Sequence, residues 1–215
     1  LALLNAGGYR YGVTDQAFYI PAIARHADPS LFPRDWAMLG AQDQLNAFTP
    51  IAGWLVALGL PLPALFLALY AATLALLGAG ALALGARLGQ SRWTAVAILA
   101  ALTLRHAVAL GAVNTLEGYT HPRMLAFGAG VLALAALLAG RRLAVVALVA
   151  AAGVVHPTTG IWFGVVAGIG LAVADRGWRP WLLAAAGSAF VLGAWALLAG
   201  PLSPRLVRMD PGWLS

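Results

Sequence analysis

The feature that most constrains this chain is a series of apolar runs long enough to span a bilayer. The longest, "IAGWLVALGLPLPALFLALYAATLALLGAGALALGARLG", extends from Ile51 to Gly89. Crossing about 30 Å of hydrocarbon takes roughly 18 or more apolar residues in a helix. Pro61 and Pro63 divide the run, because an interior proline removes an amide donor and clashes with the preceding turn. The expectation is a short element near 48–60 and a full span near 64–87. Further runs predict spans at 93–113, 122–140 and 181–200. A fifth run, 143–174, is split by His156-Pro157 into two halves, each marginal for a crossing.

Only 9% of the residues are charged and 62% are hydrophobic, where a soluble domain carries about a quarter charged residues. A soluble core of this size cannot bury so much apolar surface. The expected class is therefore all-α: a polytopic transmembrane helical bundle. Within it, 1–7 would end a truncated first span and 8–47 would form a polar loop with an interfacial helix. Residues 48–200 would be the bundle, and 201–215 a truncated tail. The chain reads as a piece of a larger membrane protein. Its Gly and Ala suit close helix packing in lipid.

Orientation comes from the arginines, which supply all 13 basic residues. Arg87 and Arg92, Arg141 and Arg142, and Arg176 and Arg179 mark three short loops expected to be cytoplasmic. Alternation then places 8–47, 114–121, His156-Pro157 and the tail on the opposite, extracytoplasmic side. Six of the seven acids, Asp15, Asp28, Asp35, Asp43, Glu117 and Asp210, fall there; Asp175 does not. The basic character thus reflects the bilayer rather than nucleic acid, for which no stacking and basic groove is evident. With no cysteine, thiolate metal sites and disulfides are excluded.

Several residues could carry chemistry. In "YGVTDQAFYIPAIARHADPSLFPRD", Thr14 or Asp15 could cap a short helix, with Phe18, Tyr19, Ala22 and Ile23 forming its apolar side and Pro21 kinking it or ending it early. Alternatively, Asp15 is a general base or a metal-binding carboxylate held above the lipid. Asp15, His26 and Asp28 are the metal candidates, although His26 and Asp28 also suit a solvated turn. Arg105 and His106 lie inside an apolar run, where charge is costly and faces a cavity, a partner or the interface. Arg105 either snorkels or meets an anionic group such as a phosphate. "NTLEGYTHPRM" gathers Glu117, Tyr119, His121 and Arg123, and His156 with Thr158 and Thr159 marks a break suited to lining a cavity.

These features resemble the GT-C-fold membrane glycosyltransferases, which use polyprenyl-phosphate-linked sugars. In that family an extracytoplasmic loop after the first span opens on an acidic residue, and an interfacial helix follows. Asp15, Tyr19 and Ala22 fall at similar places, although Gln16 stands where the family frequently has Glu. The resemblance implies a multi-pass protein of the bacterial inner (plasma) membrane whose partners are the bilayer and a lipid-linked sugar donor. Asp15 would be the base that activates the acceptor, with Arg105, His106, Glu117, His121, Arg123 and His156 around the substrate. The cofactor it implies, if there is one, is a divalent metal ion. The competing reading is a transporter or flippase for a lipid-linked or small polar solute, lined by Arg105-His106 and the His156-Pro157 break. A third is a non-catalytic assembly protein.

Overall fold

The structure is a computed structural model that describes residues 3, 6–43, 47–89, 91–104, 107–108, 113–114, 116–200 and 202–203. Among these, the helices are α1 (Gln16–Ala27), α2 (Trp36–Asp43), α3 (Phe48–Ala57), α4 (Leu62–Leu88), α5 (Arg92–Thr103), α6 (Pro122–Leu138), α7 (Arg142–Val155), α8 (Pro157–Ala174) and α9 (Arg179–Leu198). A single 3-10 turn, Arg176–Trp178, precedes α9. The only extended pairing among the described residues joins Ala107–Val108 to Val113–Asn114, antiparallel, with Ala107 opposite Asn114. Two compact units divide the chain, residues 1–167 and 168–215. Three stretches, Leu62–Leu88, Pro157–Ala174 and Arg176–Leu198, are long and apolar enough to cross a membrane. At 1.5 Å per residue the 27 residues of α4 measure about 40 Å.

The breaks between helices have local causes. Helix α3 ends at Gly59, whose φ is +97°. Its amide donates to Val56 O and that of Leu60 donates to Leu55 O, the paired bonds of a Schellman stop. Pro61 is extended, and Pro63 sits in the first turn of α4, where its missing N–H costs nothing. Gly140, at φ +70°, ends α6 in the same way, with Gly140 N on Leu137 O and Arg141 N on Ala136 O. His156-Pro157 separates α7 from α8 as the sequence indicates.

One expectation is corrected. The run 93–113 is not one span: its helix stops at Thr103, and Leu104 is already extended. Twelve residues reach only about 18 Å, and continuing the helix through lipid would have carried Arg105 and His106 with it, at high cost. Arg105 and His106 themselves, like most of 1–5 and 201–215, lie outside the described residues. Of the two outcomes left open for Pro21, the early end is not taken: Pro21 lies inside α1, which continues to Ala27.

In the first unit α4 packs on α5 and α6, α6 on α7, and α1 on α3. One cluster joins Ile23 of α1, Phe48 and Ala52 of α3, and Leu65 and Phe66 of α4. A second joins Leu77, Leu116, Met124 and Val131. Helices α4 and α5 approach closely through Gly85: a Cβ there would lie 2.3 Å from Ala95 Cα. Gly85→Leu should therefore lower the melting temperature in detergent, costing about 1–3 kcal/mol or more. Gly78→Leu, where an added Cβ meets nothing within 4 Å, should change it little. Equal effects would contradict this packing.

Candidate functional site

The site forms where the loop before α1, the loop before α6 and the start of α8 converge. Arg10 N donates to Gly118 O at 2.7 Å, and Gly118 permits the approach because any Cβ there would fall 2.5 Å from Ala6 O and Gly8 O. Gln16, fully buried, fastens the same two loops: its Oε1 accepts from Gly12 N (2.7 Å), and its Nε2 donates to Thr120 O (3.0 Å). Thr120 Oγ1 donates in turn to Phe66 O of α4 at 2.6 Å. A buried amide with all these bonds is a rigid tie, since leaving any of them unmade would cost desolvation.

Asp15 stands at the N-terminus of α1 but makes no side-chain capping bond. Its carboxylate Oδ2 lies 3.1 Å from His121 Nε2, the aspartate side chain half exposed and the histidine buried. His121 occupies the N-cap of α6, where its Nδ1 accepts from Arg123 N at 3.0 Å. An acceptor Nδ1 leaves the proton on Nε2, so the neutral imidazole donates to Asp15. Burial and the nearby Arg123 guanidinium pull the His121 pKa down from 6.5 to about 4, against the opposing pull of Asp15.

Around this dyad, the Tyr19 ring stands edge-on to His121 with centroids 5.5 Å apart, and His156 lies 6.2 Å away on another side. His156 Nδ1 receives Thr159 N (3.3 Å) and lies 2.9 Å from Thr159 Oγ1, which fixes the ring over the first turn of α8. Glu117 is 95% buried, with Oε1 2.6 Å from Arg123 Nη2 and Oε2 without a hydrogen-bond partner. Tyr119, beside it, has its phenol pushed up to about 12, chiefly by burial. Two carboxylates thus face one guanidinium and two imidazoles, His121 neutral.

Among the sequence candidates the structure brings together Asp15, Glu117, His121, Arg123 and His156. It does not assemble Asp15, His26 and Asp28. His26 and Asp28 lie at the other end of α1, about 16–20 Å away at 1.5 Å per residue. His26 packs on the Trp36 ring. Asp28 accepts from Ser30 N and Ser30 Oγ, which hold its carboxyl below the usual range. Among the described residues no group of three or more His, Cys, Asp or Glu could hold a metal ion.

No family model matches this chain, and no characterised protein or solved structure is found to be similar to it. The site is therefore read from its own geometry.

Gln16 and Thr120 carry no signal of their own in the sequence. The bonds that matter span long separations, 104 residues from Gln16 to Thr120 and 54 from Thr120 to Phe66.

The His121 environment fixes a pH dependence. The folded site resists protonation that the unfolded chain accepts near 6.5, so the unfolded state binds more protons between about 4 and 6.5. Stability should be full above about pH 6.5, fall as pH drops towards about 4, and level off below. Melting temperatures across that range in wild type and His121→Gln will check this: the wild-type slope should be the steeper. A slope unchanged by the substitution would contradict it.

Proposed function

We propose that this chain is part of a multi-pass membrane glycosyltransferase that moves a sugar from a polyprenyl-phosphate donor to an acceptor at the extracytoplasmic face. Asp15 acts as the base. The observation that supports this most is the Asp15–His121 dyad: a carboxylate at a helix start that leaves the cap unmade and is oriented by a buried, neutral imidazole while remaining half exposed. In the reaction Asp15 takes the acceptor hydroxyl proton as the acceptor oxygen bonds to the anomeric carbon. The sugar–phosphate bond breaks as the new bond forms, and polyprenyl phosphate leaves with its electron pair. Such a base contributes about 10²–10⁴-fold. Arg123, with Arg105, is assigned to the charge on the leaving phosphate, while Glu117, His121 and His156 position the substrate.

An apolar cleft of about 120 Å³, lined by residues including Phe48, Leu65, Leu69, Leu125, Val154 and Val155, adjoins the His156 break in sequence and suits part of an isoprenoid chain. Against a transporter or flippase stands the gathering of Asp15, Glu117, His121, Arg123 and His156 at one end of α4 and α6; a conduction path needs ionisable groups at mid-depth too. The test uses the protein in lipid nanodiscs with a set of polyprenyl-phosphate hexoses and pentoses and a range of acceptors, reading polyprenyl phosphate released.

A further inference from the structure

The loop between α1 and α2 carries two large apolar side chains at its tip, Leu31 and Phe32, 39% and 40% exposed. Phe32 holds a φ of +50°, a left-handed conformation that is an outlier for so bulky a residue. Such strain persists only where its surroundings impose it, and it points to a use. The surroundings here are specific. Asp28 takes both the amide and the hydroxyl of Ser30, and Asp35 N donates to Phe32 O at 3.2 Å. The Arg25 guanidinium donates to Leu31 O and lies over the Trp36 ring, 4.9 Å from its centroid. The tip is thus built to present Leu31 and Phe32 outward.

The base of the loop rests on α3. An added Cβ at Gly53 would lie 2.3 Å from His26 Cβ, so the end of α1 lies directly against that helix. Helix α3 is ten residues long, about 15 Å, too short to cross a bilayer. One face, Thr49, Ala52 and Gly53, is buried, while Ile51, Trp54 and Leu58, spaced i, i+3 and i+7, are 51%, 62% and 66% exposed. An apolar stripe containing tryptophan, leading through Pro61 into the membrane-length α4, fits the bilayer interface. The 28–35 tip emerges within a few residues of the His26–Gly53 contact with α3.

We propose that the Leu31-Phe32 tip is a lipid-anchoring wedge that enters the bilayer interface beside α3 and holds α1, and with it Asp15, at a fixed height. Arg25 and Arg34 are matched in number by Asp28 and Asp35, so the wedge enters by its apolar side chains and does not need anionic lipid. This inference is independent of the chemistry assigned to Asp15.

The chain has no native cysteine, which permits a direct test. A nitroxide is attached at Phe32→Cys, or at Ala17→Cys beside Asp15, in the full chain reconstituted into phosphatidylcholine vesicles and into equal parts phosphatidylcholine and phosphatidylglycerol. Collisions with oxygen, which concentrates in lipid, should exceed those with a water-soluble nickel chelate severalfold at the first position and reverse at the second. Both lipid mixtures should give the same depth. Nickel collisions dominating at Phe32→Cys would place the tip in water and overturn the proposal. A label reached by neither reagent would mean that protein covers the tip, which overturns it equally.

Discussion

Asp15→Asn is expected to reduce polyprenyl phosphate release by about 10²–10⁴-fold, the contribution of a positioned base, with little change in melting temperature. The exchange is nearly isosteric, and the amide oxygen can still accept from His121 Nε2, so the 3.1 Å contact and the loop packing behind it survive. What disappears is the ability to take a proton. His121→Ala should behave differently, since it removes both the partner of Asp15 and the N-cap of α6, at about 0.5–2 kcal/mol for the cap alone. It should lose stability and activity together. Release by Asp15→Asn within tenfold of wild type would show that Asp15 is not the base.

Arg123→Leu should be the most destabilising single change in the site. Glu117 is 95% buried, and Arg123 is the one partner of its carboxylate in a salt bridge among the described residues. Its other oxygen has no hydrogen-bond partner. Removing the guanidinium leaves a buried charge uncompensated, at about 3–5 kcal/mol, whereas replacing both partners by apolar groups is often close to neutral. The double variant Glu117→Leu/Arg123→Leu should therefore recover most of the stability that Arg123→Leu loses, measured as melting temperature in detergent. An Arg123→Leu variant within about 1 kcal/mol of wild type would mean that the pair is solvated and contributes little.

What could be read from the sequence was local. Pro61 with Pro63 and His156-Pro157 each fix a break through backbone chemistry that does not depend on the rest of the chain. The end of α5 at Thr103 was not legible, because hydropathy averages over Arg105 and His106 and sees an uninterrupted run. Pro21 left two outcomes open in the sequence, and the helix continues because α1 is held by Ile23 and Ala22 in the core, packing that outweighs one missing amide bond. The candidate site was half visible. Asp15, Glu117, His121, Arg123 and His156 stood out as polar residues in an apolar chain. Whether Asp15 capped its own helix could not be read, since the answer depends on His121, 106 residues away, and on the Gln16 tie that brings the two loops together.

The central claim is that Asp15, His121 and His156 form one site on one membrane face, opposite the loops at Arg87 and Arg141. Single cysteines introduced at the exposed positions Thr14, Thr158, Arg87 and Arg141, with a membrane-impermeant thiol reagent applied to intact cells, test it most directly. Labelling of Thr14→Cys and Thr158→Cys, with Arg87→Cys and Arg141→Cys labelled only after the membrane is opened, is the predicted result. Labelling of Thr14→Cys and Thr158→Cys from opposite sides would contradict it.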